Sequence, residues 1–208
     1  LNNNYEGFGK LYDINGNTIF EGNFCNNQYN GIGKLYENNI LIYEGEFKNN
    51  TKHGEGKLYN NLSILLYSGN FHNDLKEGKG CEYINNKLIY EGEFINNKYH
   101  GFGTLYEYNN ENINIFVYIG NFNYGLKHGS GTIYKKCSNY YTKQLIFEGN
   151  FTDDKKNGQG TYYFNNEKIL LSGIFKNDMA HGLCTEYDKL GNIVYKGEYR
   201  NNIKIDNK

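Results

Sequence analysis

The chain has 208 residues, of which 38% are apolar and 17% aromatic, and its formal net charge is −1. No run of about 18 apolar residues encodes a membrane-spanning helix, no apolar segment behind a basic N-terminus marks a signal peptide, and the dispersed charge excludes the concentrated basic footprint of a nucleic-acid binder. The 37 Asn and 26 Gly would suit disorder, but the aromatic content is far above what disordered chains carry, so the chain folds. Starting at Leu1, it reads as an excerpt of something longer.

Gly and Asn form helices poorly and aromatics suit strands, which predicts an all-β fold. The elements recur along the chain. An aromatic-x-Gly-x-aromatic unit first occurs as Phe20-Glu21-Gly22-Asn23-Phe24 and returns centred on Gly45, Gly69, Gly92, Gly120, Gly149, Gly173 and Gly197, with Leu171 replacing one leading aromatic. A Gly-x-Gly-x-x-Tyr unit begins at Gly7, Gly31, Gly54, Gly78, Gly101, Gly129, Gly158 and Gly182, with Cys184 in place of the second Gly of the last copy. From the first unit to the second the step is always 9 residues; from the second to the next first unit it is 15, 14, 15, 14, 19, 20, 15 and 15.

A constant interval marks a rigid connection and a variable one a surface loop. Each repeat is therefore two strands. Asn-Asn and Asn-Asp pairs such as Asn26-Asn27 and Asn73-Asp74 fill the constant connection, and Asn15-Gly16 and Asn38-Asn39 mark the variable one, as turns require. The arithmetic predicts one array over residues 1–208, about eight repeats of 23–29 residues with half-repeats at both ends. Its architecture is an elongated single-layer antiparallel meander, solenoid-like, about 75 Å long at roughly 4.8 Å per strand. The two longest intervals predict protruding loops at 107–116 and 135–145. In Tyr43-Glu44-Gly45-Glu46-Phe47 the aromatics and the Gly share one face and the glutamates the other, so each Gly leaves a vacancy for a cross-strand ring.

These paired motifs resemble the MORN repeat, and the resemblance covers essentially the whole chain from Tyr5 to Asn202. Phe or Tyr199 stands where the family commonly has Trp, and the family's His before Gly-x-Gly is kept in His53, His100, His128 and His181. The resemblance implies scaffolds of the cytoskeleton or of membranes, flagellar assemblies, or accessory segments of lipid kinases and methyltransferases.

Catalytic patterns are missing. Gly101-Phe102-Gly103-Thr104 lacks the Lys-Ser or Lys-Thr of a phosphate loop, and Gly129-Ser130-Gly131 is too short for a nucleophile elbow. His100 and His128 sit one repeat apart, about 10 Å at two strand spacings, too far to share an ion at about 2.1 Å. Cys25, Cys81, Cys137 and Cys184 form no C-x-x-C pair and read as free thiols of a reducing compartment. No cofactor, metal or enzymatic activity is expected.

What remains is surface, because a one-layer fold has more aromatics than it can bury. The candidate partner surface is Tyr36, Tyr59, Tyr83, Tyr106, Tyr134 and Tyr163; the candidate edge for association is the last half-repeat, through Tyr195 and Tyr199. The expected function is a non-catalytic scaffold in the cytoplasm, cytoskeletal or peripheral to a membrane, that binds a protein or itself. Anionic phospholipid is the alternative partner, and the targeting segment of a larger enzyme a third reading. Lipid binding wants clustered Lys and Arg, and only Lys135-Lys136 and Lys155-Lys156 are adjacent.

Overall fold

The computed structural model describes residues 4–109, 113–136 and 143–205, with the backbone alone at 114 and 115. The chain divides into two compact units, Leu1–Lys98 and Tyr99–Lys208. All regular elements among the described residues are strands.

Unit 1 holds β1 (Gly7–Tyr12), β2 (Thr18–Cys25), β3 (Gln28–Glu37), β4 (Ile40–Lys48), β5 (Thr51–Tyr59), β6 (Leu65–His72), β7 (Leu75–Ile84) and β8 (Lys87–Ile95), each antiparallel to the next. Unit 2 repeats the plan with β9 (Lys98–Tyr108), β10 (Asn114–Asn123), β11 (Leu126–Lys136), β12 (Lys143–Thr152), β13 (Lys155–Tyr163), β14 (Ile169–Lys176), β15 (Met179–Tyr187), β16 (Ile193–Arg200) and β17 (Ile203–Ile205). Both units are meanders.

Turn chemistry explains the two intervals. In the constant connection both turn residues are left-handed, as at Asn26 (φ 49°) and Asn27 (φ 66°), the geometry whose twist matches a hairpin and which Asn and Asp tolerate. The 14-residue variable intervals use the same two-residue turn, at Asn38-Asn39 and Asn85-Asn86. The 15-residue intervals use a wider turn, in which Asp13 Oδ1 accepts the N–H groups of Asn15 and Asn17, both at 2.8 Å. Asp188 repeats this.

The two longest intervals behave differently from the expected loops. Glu107 pairs with Phe116, and Lys135 and Lys136 pair with Gln144 and Lys143, so part of each insertion lengthens a hairpin. Ladder pairing continues while both strands stay extended. Residues 110–112 and 137–142, Cys137 among them, lie outside the described residues.

The core occupies one face of each meander and is built on glycine. Gly9, Gly22, Gly33, Gly45, Gly56, Gly69, Gly80 and Gly92 stand opposite one another in sequence across unit 1. A ring lies over this bare stripe. A Cβ on Gly33 would come within 2.4 Å of Phe20 Cζ, and one on Gly22 within 2.8 Å of the same atom. So the vacancy on Gly33 is filled across the strand pair, as expected, whereas that on Gly22 is filled from its own strand. The second aromatic of each unit stands edge-on between successive rings: Phe71 lies 5.3 Å from Tyr43 and 5.0 Å from Tyr67. Such T-shaped pairs contribute about 0.5–1.5 kcal/mol each beyond burial.

The leading rings are fully buried, with Tyr43, Tyr67 and Tyr90 at 0% exposure, so the aromatics that one layer leaves uncovered stand at other positions, such as Tyr5 and Tyr12. The second residue after the constant turn closes over the leading rings. Tyr29 stacks on Phe20 at 3.8 Å, while Lys76 and Lys127 place Nζ 4.9 Å and 5.2 Å from the Tyr67 and Tyr118 ring centres. Long aliphatic stems cover apolar surface while the ammonium stays polar. The Tyr67 hydroxyl donates to the Asn70 carbonyl at 3.0 Å, which satisfies its one buried polar group.

Candidate interaction surface

Three side-chain systems face outward or between repeats, and each comes from a repeated position. The first is a clamp at the constant turns. The N–H of Asn50 donates to the Tyr29 carbonyl at 3.1 Å, and Asn50 Oδ1 accepts the Tyr29 N–H at 2.8 Å. The same reciprocal pair joins Asp74 to Lys52, Asn97 to Lys76, Asp154 to Lys127, Asp178 to Lys156 and Asn202 to Ala180. Each turn thus ties itself to the preceding repeat. The sequence signal is the Asn or Asp at the second turn position, whose side chain both tolerates the left-handed turn and accepts the clamp bond.

The residue before Gly-x-Gly, where the family has His, reaches the first residue of a later constant turn. Glu6 Oε1 accepts the Asn26 N–H at 2.8 Å, Asn157 Oδ1 accepts the Asn177 N–H at 3.1 Å, and His181 Nδ1 lies 3.3 Å from Asn201 Oδ1, whereas His128 Nδ1 stands 3.7 Å from Asp153 Oδ1, beyond hydrogen-bond distance. The first three are struts between repeats. Among the described residues no cluster of three or more His, Cys, Asp or Glu is arranged to hold a metal ion.

The second system is the lysine cover on the ring face, and its charges are used internally. Lys52 pairs with Asp74 at 3.4 Å, Lys127 with Glu107 at 3.1 Å, Lys156 with Asp178 at 3.4 Å and Lys204 with Glu186 at 2.6 Å, while Lys76 meets Glu82. The ring face therefore presents neutralised cations.

The third system is the opposite face. Here the register sets Lys10 against Glu21, Glu21 against Lys34, Lys34 against Glu44 and Glu44 against Lys57, with ion pairs at 3.2 Å (Lys10 to Glu21) and 3.6 Å (Lys57 to Glu44). Exposed pairs of this kind contribute little to stability. Beside this row runs a stripe containing the predicted tyrosines. Tyr36, Tyr59 and Tyr83 recur on β3, β5 and β7 and face Leu41, Leu65 and Leu88 across the strand pairs. In unit 2, Tyr106 and Tyr134 flank Val117, Tyr134 faces Leu145, and Tyr163 faces Ile169. All six tyrosines are half-buried.

Some of these rings are held in place. The Tyr59 hydroxyl donates to Glu44 Oε1 at 2.7 Å, and Tyr163 makes the same bond to Glu148. Burial, then that hydrogen bond, pushes both phenols up to about 12. Burial and the neighbouring Cys81 also raise Tyr83.

The candidate edge is corrected. β16 carries Tyr195 and Tyr199, and β17 pairs along its C-terminal half through Glu198 to Ile205, Tyr199 to Lys204 and Arg200 to Ile203. Tyr199 is buried with its hydroxyl on Glu186 at 2.7 Å, and Tyr195 donates to the Ile205 carbonyl at 3.1 Å. Both side chains serve the sheet they belong to. The Gly-x-Gly pattern used to find strands is missing from Ile203–Ile205, so this strand was invisible in the motif.

A family model described as MORN repeat matches residues 1–18, 20–39, 43–61, 67–87, 90–107, 118–136, 147–168 and 172–189. The chain belongs to the MORN repeat family. A search of curated proteins found no match. In this MORN array the second aromatic works without Trp, because Phe already fills the space between successive rings at about the T-shaped distance. The MORN repeat is a binding module and not an enzyme family.

Proposed function

We propose that this MORN array is a non-catalytic scaffold in the cytoplasm that binds another protein through its tyrosine face. The observation that carries the reading is the asymmetry of the two faces. On the ring face of unit 1 the aromatics of the aromatic-x-Gly-x-aromatic units are all buried and Lys52 and Lys76 are ion-paired, whereas Tyr36, Tyr59, Tyr83 and their unit 2 equivalents remain half-exposed in a regular stripe. Half-exposed Tyr gives a large contact area at low entropy cost, as binding surfaces require, and Tyr59 and Tyr163 are further pinned by Glu44 and Glu148. Anionic lipid is disfavoured, because the ring-face lysines already neutralise carboxylates.

A random-peptide display selection on the full chain tests this, run in parallel on Tyr59→Lys with Tyr83→Lys. Enrichment on the parent that disappears on the double variant supports protein binding by this face. Equal enrichment on both, or co-sedimentation with phosphatidylserine-rich vesicles in place of peptide binding, refutes it.

A further inference from the structure

We infer that the tyrosine stripe docks a proline-rich peptide in the polyproline II conformation, flanked by Lys or Arg. The inference rests on the protein-binding reading above and names its ligand class.

The period comes first. Tyr36, Tyr59 and Tyr83 occupy alternate strands, so successive rings stand about 9.6 Å apart at the usual strand spacing. A polyproline II helix returns to the same side every three residues, about 9.3 Å. Across the two intervals from Tyr36 to Tyr83 the mismatch stays near 0.6 Å. An α-helix laid along the stripe would repeat a side after seven residues, about 10.5 Å, and drift by roughly 1.8 Å over the same span. An extended strand returns to one face about every 6.7 Å and does not match. A ligand of about seven residues therefore meets all three rings of unit 1.

The surface chemistry agrees. Pyrrolidine rings pack against aromatic and aliphatic walls, and here each Tyr has a Leu directly opposite. Tyr59 is pinned by Glu44, so part of the slot exists before the ligand arrives. Polyproline II is itself ordered in advance, which lowers the cost on the other side.

Charge on the face as a whole favours a basic peptide. The row next to the tyrosines, with Lys34, Glu44 and Lys57, is mixed in sign, and in the parallel row beyond it Glu46 stands opposite Ile32, Glu55 opposite Asn70 and Glu93 opposite Lys79. Lys79 alone answers these three carboxylates within their row. That excess suits a basic flank and disfavours an acidic one.

The test is fluorescence polarisation of a labelled peptide with repeated Pro-Pro-Ala between terminal Arg residues, against the full chain. A peptide of the same composition with its proline period scrambled is the control. The expected result is saturable binding of the periodic peptide, at least about ten-fold weaker for the scrambled one, with a similar loss in Tyr83→Ala. Tyr59→Phe should retain most binding because the ring remains, and circular dichroism on each variant separates lost docking from lost folding. No binding, equal binding of the scrambled peptide, or binding unaffected by Tyr83→Ala in a folded chain overturns the inference. Display binders that need the tyrosine face but lack period-three proline also overturn it, while leaving the protein-binding function standing; no face-dependent binder at all removes both.

Discussion

Replacing Gly80 by Ala tests the core directly. The added Cβ would lie 2.3 Å from Tyr67 Oη and 2.5 Å from Cζ. Tyr67 has nowhere to go. Phe71 and Phe94 flank it at 5.0 Å and 5.1 Å, Lys76 covers it at 4.9 Å, and its own glycine stripe lies beneath. Accommodation requires the ring to leave, losing a buried aromatic, its T-shaped partners and the bond to the Asn70 carbonyl. The expected cost is about 3–5 kcal/mol.

Gly78→Ala is the control. Gly78 needs φ of +80°, but a Cβ there meets nothing nearer than Asn70 Cβ at 3.5 Å. Its cost is backbone strain alone, about 1–2 kcal/mol. The assay is urea unfolding followed by tyrosine fluorescence and far-ultraviolet circular dichroism. The chain also contains its own compensation: where Cys184 replaces the ladder glycine, the leading aromatic is Leu171 and the covering residue is Ala180. Accordingly Gly80→Cys with Tyr67→Leu should cost less than the two single changes added, with a coupling of at least about 1 kcal/mol. A Gly80→Ala loss no larger than that of Gly78→Ala, or strict additivity in the cycle, would refute the ring-over-glycine account.

Gly125 gives its N–H to the Tyr99 carbonyl at 2.8 Å but has no side chain to return the second clamp bond; Gly125→Asn should stabilise by about 0.5–1.5 kcal/mol, read from the urea midpoint. The phenols of Tyr59 and Tyr163, raised from 10.0 to about 12, contribute stability that is full below the unfolded value and lost as pH rises from 10.0 to about 12. Near-ultraviolet absorbance titration should show them ionising late, and Glu44→Gln should bring Tyr59 down, so an unchanged titration contradicts the assigned bond. Hydrogen bonds from Lys204 and then Tyr199 lower Glu186, whose contribution is present above the ordinary carboxylate range and lost as pH falls through its folded value. Glu186→Gln should therefore flatten the acid limb of stability against pH, measured by thermal melts across that range.

The sequence alone determined the fold class, the strand count per repeat and the turn positions, because these are local. A left-handed turn demands Asn, Asp or Gly wherever it falls, and a glycine facing a ring repeats at the spacing of the strands. It also separated the glutamates beside the motif glycine, such as Glu44, from the ring face through the two-residue alternation of a strand, and the register confirms that pattern in Lys34 to Glu44. Tertiary structure decided what each face does. Whether Tyr43 is a binding residue or a core residue depends on Lys52 and Phe71, which lie nine and 28 positions along the chain and meet it only across the folded strands. The clamp from Asn50 to Tyr29 spans 21 residues, and the strand Ile203–Ile205 carries no motif; both exist because hydrogen bonds in a sheet join residues by register and not by sequence proximity.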